Sequence, residues 1–290
     1  MATSCLPSRR TLGAMVRTAS QARESGSIPL GDPTLLRGTT PAVLLEGFGR
    51  RLRGSVGGSG SVADAGNDEY AKSFPLTELD IFLSHSWHAF WLWKYALLVV
   101  HFNLKPACIV SIAVGLVLSF VYHDPSAAIK DGDQRCFGRD IATTGPFFGL
   151  SSFFAVLFSW HFISSRFIGM NETVFLDKVC IHQTDLRRKE QGIKAIGSIL
   201  ASAKVMLVAW DPTYFERLWC VYELSAFKFA KPAGRISIRS MHLSFLMGGL
   251  VFVINATYVL LLIKEDMPAL LQAVCFLFLI PFSPAIFYMR

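Results

Sequence analysis

Charge is scarce in this chain, and where it is missing matters more than how little there is. Asp, Glu, Lys and Arg make up 17% of the 290 residues, against a hydrophobic fraction of 52% that exceeds the usual range for soluble globular proteins. Paired cysteines are also missing. Cys5, Cys108, Cys136, Cys180, Cys220 and Cys275 form no C-x-x-C pair, and none stands at zinc-ligand spacing from a histidine. A disulfide frame and a metal site are therefore not expected, and Cys180-Ile-His182 reads as ordinary loop. Aromatic residues are not interleaved with basic ones as they are in single-strand binders, so the net charge of +7 does not point to nucleic acid. The N-terminus lacks the compact apolar core of a secretory signal.

What the chain does have is apolar runs. Four segments carry no Asp, Glu, Lys or Arg: Pro106–Tyr122, Ile141–Ile163, Leu243–Ile263 and Pro268–Met289. A bilayer span takes about 20 such residues, and the rest of the chain is too small to cover four such helices as a soluble core. The spacing predicts a transmembrane hairpin over 106–165 (about 106–122 and 141–163) and a second pair of spans over 243–290 (about 243–263 and 268–289). Lys and Arg crowd residues 166–240, whereas the loop 123–140 sets Lys130, Arg135 and Arg139 against four aspartates. By the positive-inside rule, 166–240 and both termini face the cytosol of a multi-pass membrane protein whose partner is the lipid bilayer. A transporter or channel is the weakest reading, because the spans hold no ionisable Asp, Glu, Lys or Arg to mark an ion path, only polar residues such as Asn255 and His161. Residues 1–72 are Arg-, Gly- and Ser-rich and are expected to be mostly disordered. Their acid-poor start is shared by transit peptides and solvated basic tails.

The polar remainder alternates strand and helix. "LDIFLS" (79–84) is a short apolar strand ending in Ser84, His85 and Ser86. "TVFLDK" (173–178) ends in Asp177, "GIKAIGSILASA" (192–203) has helical spacing, and "KVMLVAW" (204–210) is a buried strand leading to Asp211-Pro212. Asp211 or Thr213 with Glu216 could cap the next helix. That alternation implies a mostly parallel sheet. The next helix, "RLWCVYEL" (217–224), sets Glu223 on one stripe with Trp219 and Phe227, and no cation stands three or four residues away.

Together "DIFLSHSW", "FLDK", "ILASAKVMLVAW" and "RLWCVYEL" resemble a Toll/interleukin-1 receptor (TIR) domain of the plant, algal and protist kind. The likeness covers 77–103 and 172–232. It implies a flavodoxin-like α/β sheet, interrupted by the hairpin between its first part (77–105) and second part (166–240). The sheet would also be truncated, since no fifth strand follows "GRISIRSM". The family implies self-association in signalling and, in some members, NAD cleavage. Carried over residue by residue, the resemblance makes Glu223 the catalytic acid and Trp219 a substrate-stacking ring. Ser84, His85, Ser86, Trp87, Asp177 and Asp211 would line the substrate site where the first and third strands end. NAD would be substrate, and no cofactor is implied. Two readings of Glu223 stand side by side: a carboxylate that stabilises an oxocarbenium, or a structural acid bonded inside the fold. One expectation needs only the sequence. Asn171-Glu-Thr is a glycosylation sequon that the assigned topology places in the cytosol. Expression in glycosylating cells should leave Asn171 bare, and a glycan there, seen as an endoglycosidase-sensitive mass shift, would invert the topology.

Overall fold

The computed structural model describes residues 32–53, 68–121, 137–169, 172–246, 249–250 and 253. The chain divides into two compact units. One comprises the residues up to Leu98 together with Ser164–His242. The other comprises Val99–Ile163 and the residues from Leu243 on.

The first unit is α/β. Its sheet strands are β3 (Leu79–His85), β4 (Val174–Phe175), β5 (Ala203–Trp210) and β6 (Arg235–Ser240), in the spatial order β4-β3-β5-β6 and all parallel. Counted by appearance, the order is second, first, third, fourth. Ile81 and Phe82 pair with Val174 and Phe175, and Leu79–His85 run in register with Ala203–Ala209. β3 has a strand on each side and is buried along nearly its whole length, which is why it reads as a near-continuous apolar run. Phe82 stacks on Phe175 with centroids 4.9 Å apart. Between β4 and β5 come α4 (Asp177–Cys180), α5 (Leu186–Lys194) and α6 (Ile196–Ser202), and α7 (Leu218–Ala230) links β5 to β6. Helices α6 and α7 pack on each other and on β3. Ile199, Leu200, Met206, Leu207 and Phe227 form the core there.

Asp80 ties the strands together at their starting ends. Its Oδ2 accepts from the Thr173 backbone N (3.0 Å) and Oγ1 (2.8 Å), and Thr173 Oγ1 accepts from the Asp80 N (3.0 Å). Its Oδ1 accepts from Lys204 Nζ at 2.9 Å. The carboxylate thus joins the residue before β4 to β5 across β3. Burial pushes its pKa up, but the bonds from Lys204 and Thr173 outweigh that and leave it lowered.

Where order was not expected, the structure has it. Residues 32–53 lie in the stretch read as disordered, yet β1 (Arg37–Gly38) pairs antiparallel with β2 (Phe74–Pro75). Thr39 exchanges two backbone hydrogen bonds with Val174 on the outer side of β4. The helical segment α1 (Pro41–Gly49) breaks at Glu46–Phe48, where Gly47 takes φ 61°. Two causes outweigh the polar composition. Leu36, Leu44, Leu45 and Leu52 are buried, and Arg51 is enclosed by Glu46 (2.8 Å) and Glu69 (2.6 Å). The Gly/Ser stretch 54–67 lies outside the described residues.

Smaller differences have local causes. The predicted strand 173–178 shrinks to two residues because Asp177 opens α4. Neither predicted cap forms on α7: Tyr214–Glu216 make a 3-10 turn, and the helix starts only at Leu218, after Arg217. Thr213 instead donates to Asp211 Oδ2 at 2.8 Å.

Helix α2 (Trp91–Val121) continues unbroken through Pro106. At 31 residues it is about 46 Å long, and α3 spans Phe137–Ile163. Among the described residues, one helical stretch, Trp91–Leu118, is long and apolar enough to cross a membrane. Within the second unit, Asn103 Nδ2 donates to Leu157 O (2.7 Å) and lies 2.9 Å from His161 Nδ1. A Cβ on Gly149 would stand 2.9 Å from the Ser111 carbonyl oxygen, so this glycine lets α2 and α3 touch backbone to backbone. Ile109, Ile112, Leu116, Val117 and Phe120 are exposed along α2. Of the third predicted span only 243–246, 249–250 and 253 are described, and they are helical; the fourth lies outside the described residues.

The Asp80 clamp yields a clear expectation. Asp80→Ala should lower unfolding stability by about 1–3 kcal/mol, because Thr173 and Lys204 both lose their acceptor. Asp80→Glu should restore only part of it. Denaturant unfolding of the purified chain measures both.

Candidate functional site

Parallel sheets place their ligands beyond the carboxyl ends of the strands. Here β3 and β5 end side by side and deliver polar residues into a region that is otherwise apolar. Ser84 and His85, neighbours on β3, point to opposite faces of the sheet.

On the α7 face, Ser84 Oγ donates to Glu223 Oε2 at 2.5 Å and lies 2.7 Å from the Tyr214 hydroxyl. The Tyr214 hydroxyl also reaches the Cys220 carbonyl at 3.4 Å. Ser84 and Tyr214 are fully enclosed, and Glu223 is 5% exposed. Glu223 therefore sits on the apolar stripe of α7 because that stripe covers a polar strand end, and the carboxyl bonds the helix to the sheet. Burial raises its pKa to about 8, and nearby Asp177 acts the same way. The hydrogen bonds from Ser84 and Trp219 pull the other way without prevailing. At neutral pH the group is mostly a neutral acid. Burial likewise raises the Tyr214 hydroxyl and pushes the Cys220 thiol up to about 12, so neither is a ready nucleophile.

On the other face, Trp87 Nε1 donates to Asp177 Oδ2 at 3.0 Å. His85 meets Trp87 edge to face at 4.4 Å. Lys94 of α2 lies 5.1 Å over the Trp87 ring and donates to Leu52 O at 3.5 Å. Burial holds the His85 pKa well below the usual imidazole range, with the Lys94 charge adding to it. Burial raises the Asp177 carboxyl despite its Trp87 bond. His85 Nε2 and Asp211 Oδ1 are buried and have no hydrogen-bond partner among the described residues.

The residues singled out in the sequence thus separate into groups. Ser84 joins Glu223. His85, Trp87 and Asp177 gather around Lys94 on the opposite face. Buried Ser86 accepts from the His88 backbone N at 3.3 Å. Asp211 stays near the end of β5, bonded to Thr213. Trp219 is half-buried on α7, with its ring 5.9 Å from Tyr222. Sequence reasoning missed Tyr214 and Lys94. Lys94 did leave a signal, as the lone cation within the aromatic run "WLWKYALL". Tyr214 left none beyond its place after Asp-Pro-Thr. No family model, no curated protein and no solved structure matches this chain.

The protonated Glu223 makes stability pH-dependent. The folded pKa of about 8 lies above the ordinary 4.5, so the folded state keeps a proton that the unfolded chain releases. This contribution is fully present below pH 4.5 and is lost as pH rises through 8, by a few kcal/mol. Thermal unfolding from about pH 5 to about pH 8.5 should show the wild type weakening with pH. In Glu223→Gln, which is neutral throughout, the decline should flatten.

Proposed function

We propose that this chain is a membrane-tethered signalling module that works by self-association through a cytosolic TIR-like α/β domain. The order second-first-third-fourth is the flavodoxin-like arrangement that the resemblance implies, and it supports that reading of the sheet. The exposed apolar side chains on α2 and the close approach at Gly149 suit a helical hairpin in lipid, running over about 106–122 and 141–163. Positive-inside charge then keeps the sheet and both termini in the cytosol. β6 leaves one edge of the sheet open among the described residues, with Ile238 57% exposed on it. Such an edge is available to a second copy.

One observation supports the adaptor reading over the enzymatic one. Glu223 is enclosed, mostly protonated and bonded to Ser84. An oxocarbenium needs a negative carboxylate with access to substrate, and a neutral acid holding a helix on a strand supplies neither. NAD hydrolysis by Glu223 with Trp219 is the second reading. It is favoured by the position of Glu223 at the strand ends and by the reach of the half-exposed Trp219 toward it.

The test is nicotinamide release from NAD by the purified full chain. We expect no turnover, a folded Glu223→Gln variant and a Glu223→Ala variant weakened by about 1–3 kcal/mol as Ser84 loses its acceptor. Wild-type turnover that disappears in a folded Glu223→Gln protein would replace the adaptor reading with the enzymatic one.

A further inference from the structure

Apart from Glu223, the first unit holds a cavity of about 290 Å³ between the ordered N-terminal segment and the stretch 180–192. Its polar lining includes Asp32, Arg37, Tyr70, His182, Arg188 and Gln191. Nothing in the Ser84–Glu223 network reaches it, so a ligand held there is independent of the proposed function.

The lining sets two guanidiniums and an imidazole against a single carboxylate. Asp32 turns Oδ1 to Thr34, accepting from the backbone N at 2.9 Å and from Oγ1 at 2.6 Å. Asp185, just outside the cavity, turns Oδ1 to the backbone amides of Arg187 and Arg188 at the start of α5. Its ion pair to Arg188 Nε is long, at 3.6 Å, and leaves both terminal nitrogens of that guanidinium free among the described residues. Arg37 is braced more firmly. Nε donates to Ser73 Oγ at 2.8 Å, Nη2 donates to the Ser73 carbonyl, and the guanidinium lies 4.3 Å over the Tyr70 ring. Its Nη1 keeps no partner among the described residues. His182 Nδ1 accepts from the Asp185 backbone N at 3.0 Å, so a neutral ring carries its proton on Nε2, as a further donor. His182 is itself placed by the Tyr70 ring, 4.8 Å away.

We infer that this cavity binds a small phosphate-bearing molecule, with Arg37 and Arg188 as the guanidinium contacts and His182 as the third donor. A guanidinium gives phosphate oxygens directed, charge-assisted donors: Arg188 offers its terminal nitrogens and Arg37 its Nη1. The volume lies at the small end of ligand sites, enough for a diphosphate or a sugar phosphate. Arg37 is pre-positioned by Ser73 and Tyr70, so little side-chain freedom is lost on binding.

The test is calorimetric titration of the purified full chain at constant ionic strength with inorganic pyrophosphate, ADP, inositol trisphosphate and succinate. Saturable binding of at least one phosphate compound, with succinate inert, is the expected result. Whichever binds most tightly separates a free inorganic, nucleotide or lipid-headgroup source. Arg188→Gln, at an exposed position that should not disturb folding, should weaken binding about tenfold or more. Arg37→Gln should do the same, and Arg239→Gln on β6 should leave affinity unchanged. No saturable binding, equal binding of succinate, or full affinity in Arg188→Gln would overturn the inference.

Discussion

The sheet is assembled from chain pieces that lie far apart, and Asp80 is where they are held. Its carboxylate reaches Thr173 on one side and Lys204 on the other. A parallel pair has no hairpin turn to set its register, and a slip of one residue would turn every side chain of β4 to the wrong face. β4 is only two residues long, so its own ladder is weak. The side-chain bonds at Asp80, with the Thr39 bridge on the outer side of β4, specify a register that backbone pairing alone would not.

The two ends of β3 handle a buried acid in opposite ways. At the starting end Asp80 is a third exposed and has a lysine and two donors from Thr173, so it stays ionised. At the far end Glu223 has no cation in contact among the described residues and is 5% exposed, so it is held largely protonated and acts through neutral hydrogen bonds. Solvent access and partner charge, not residue type, decide between these states. The same division runs through the cluster on the opposite face. There, burial keeps His85 neutral, and the charge of nearby Lys94 acts the same way.

Much of this arrangement can be read from local patterns, and the unread part has physical reasons. The strands 79–85 and 203–210 are apolar runs of the right length, and Glu223 stands out as an acid on a greasy stripe. Asp80 carries no comparable mark: an acid at position two of a strand looks solvent-facing, and its partners are 93 and 124 residues away. The N-terminal segment escapes a compositional reading because its order depends on a few leucines and on Arg51, whose acids Glu46 and Glu69 are separated by a polar stretch. Composition averages over such contacts. Tyr214 was invisible because its role lies wholly in a hydroxyl aimed at a residue 130 positions earlier.

The place of the long helices in the chain also follows from the sheet. A parallel crossover requires a connection of a dozen residues or more in any case. Between β3 and β4 that connection is residues 86–173. Loop-closure entropy rises only with the logarithm of length, so extending a minimal crossover to this one costs about 2 kcal/mol. Helix α2 lowers even that figure, because its rigid backbone removes most of the freedom that a flexible loop would lose. The hydrogen bonds at Asp80 offset a cost of this size. An insertion within a hairpin turn would instead separate strands whose register the turn itself sets. The first crossover is thus a connection that can run long, provided a side-chain clamp such as Asp80 reimposes the register on the returning strand.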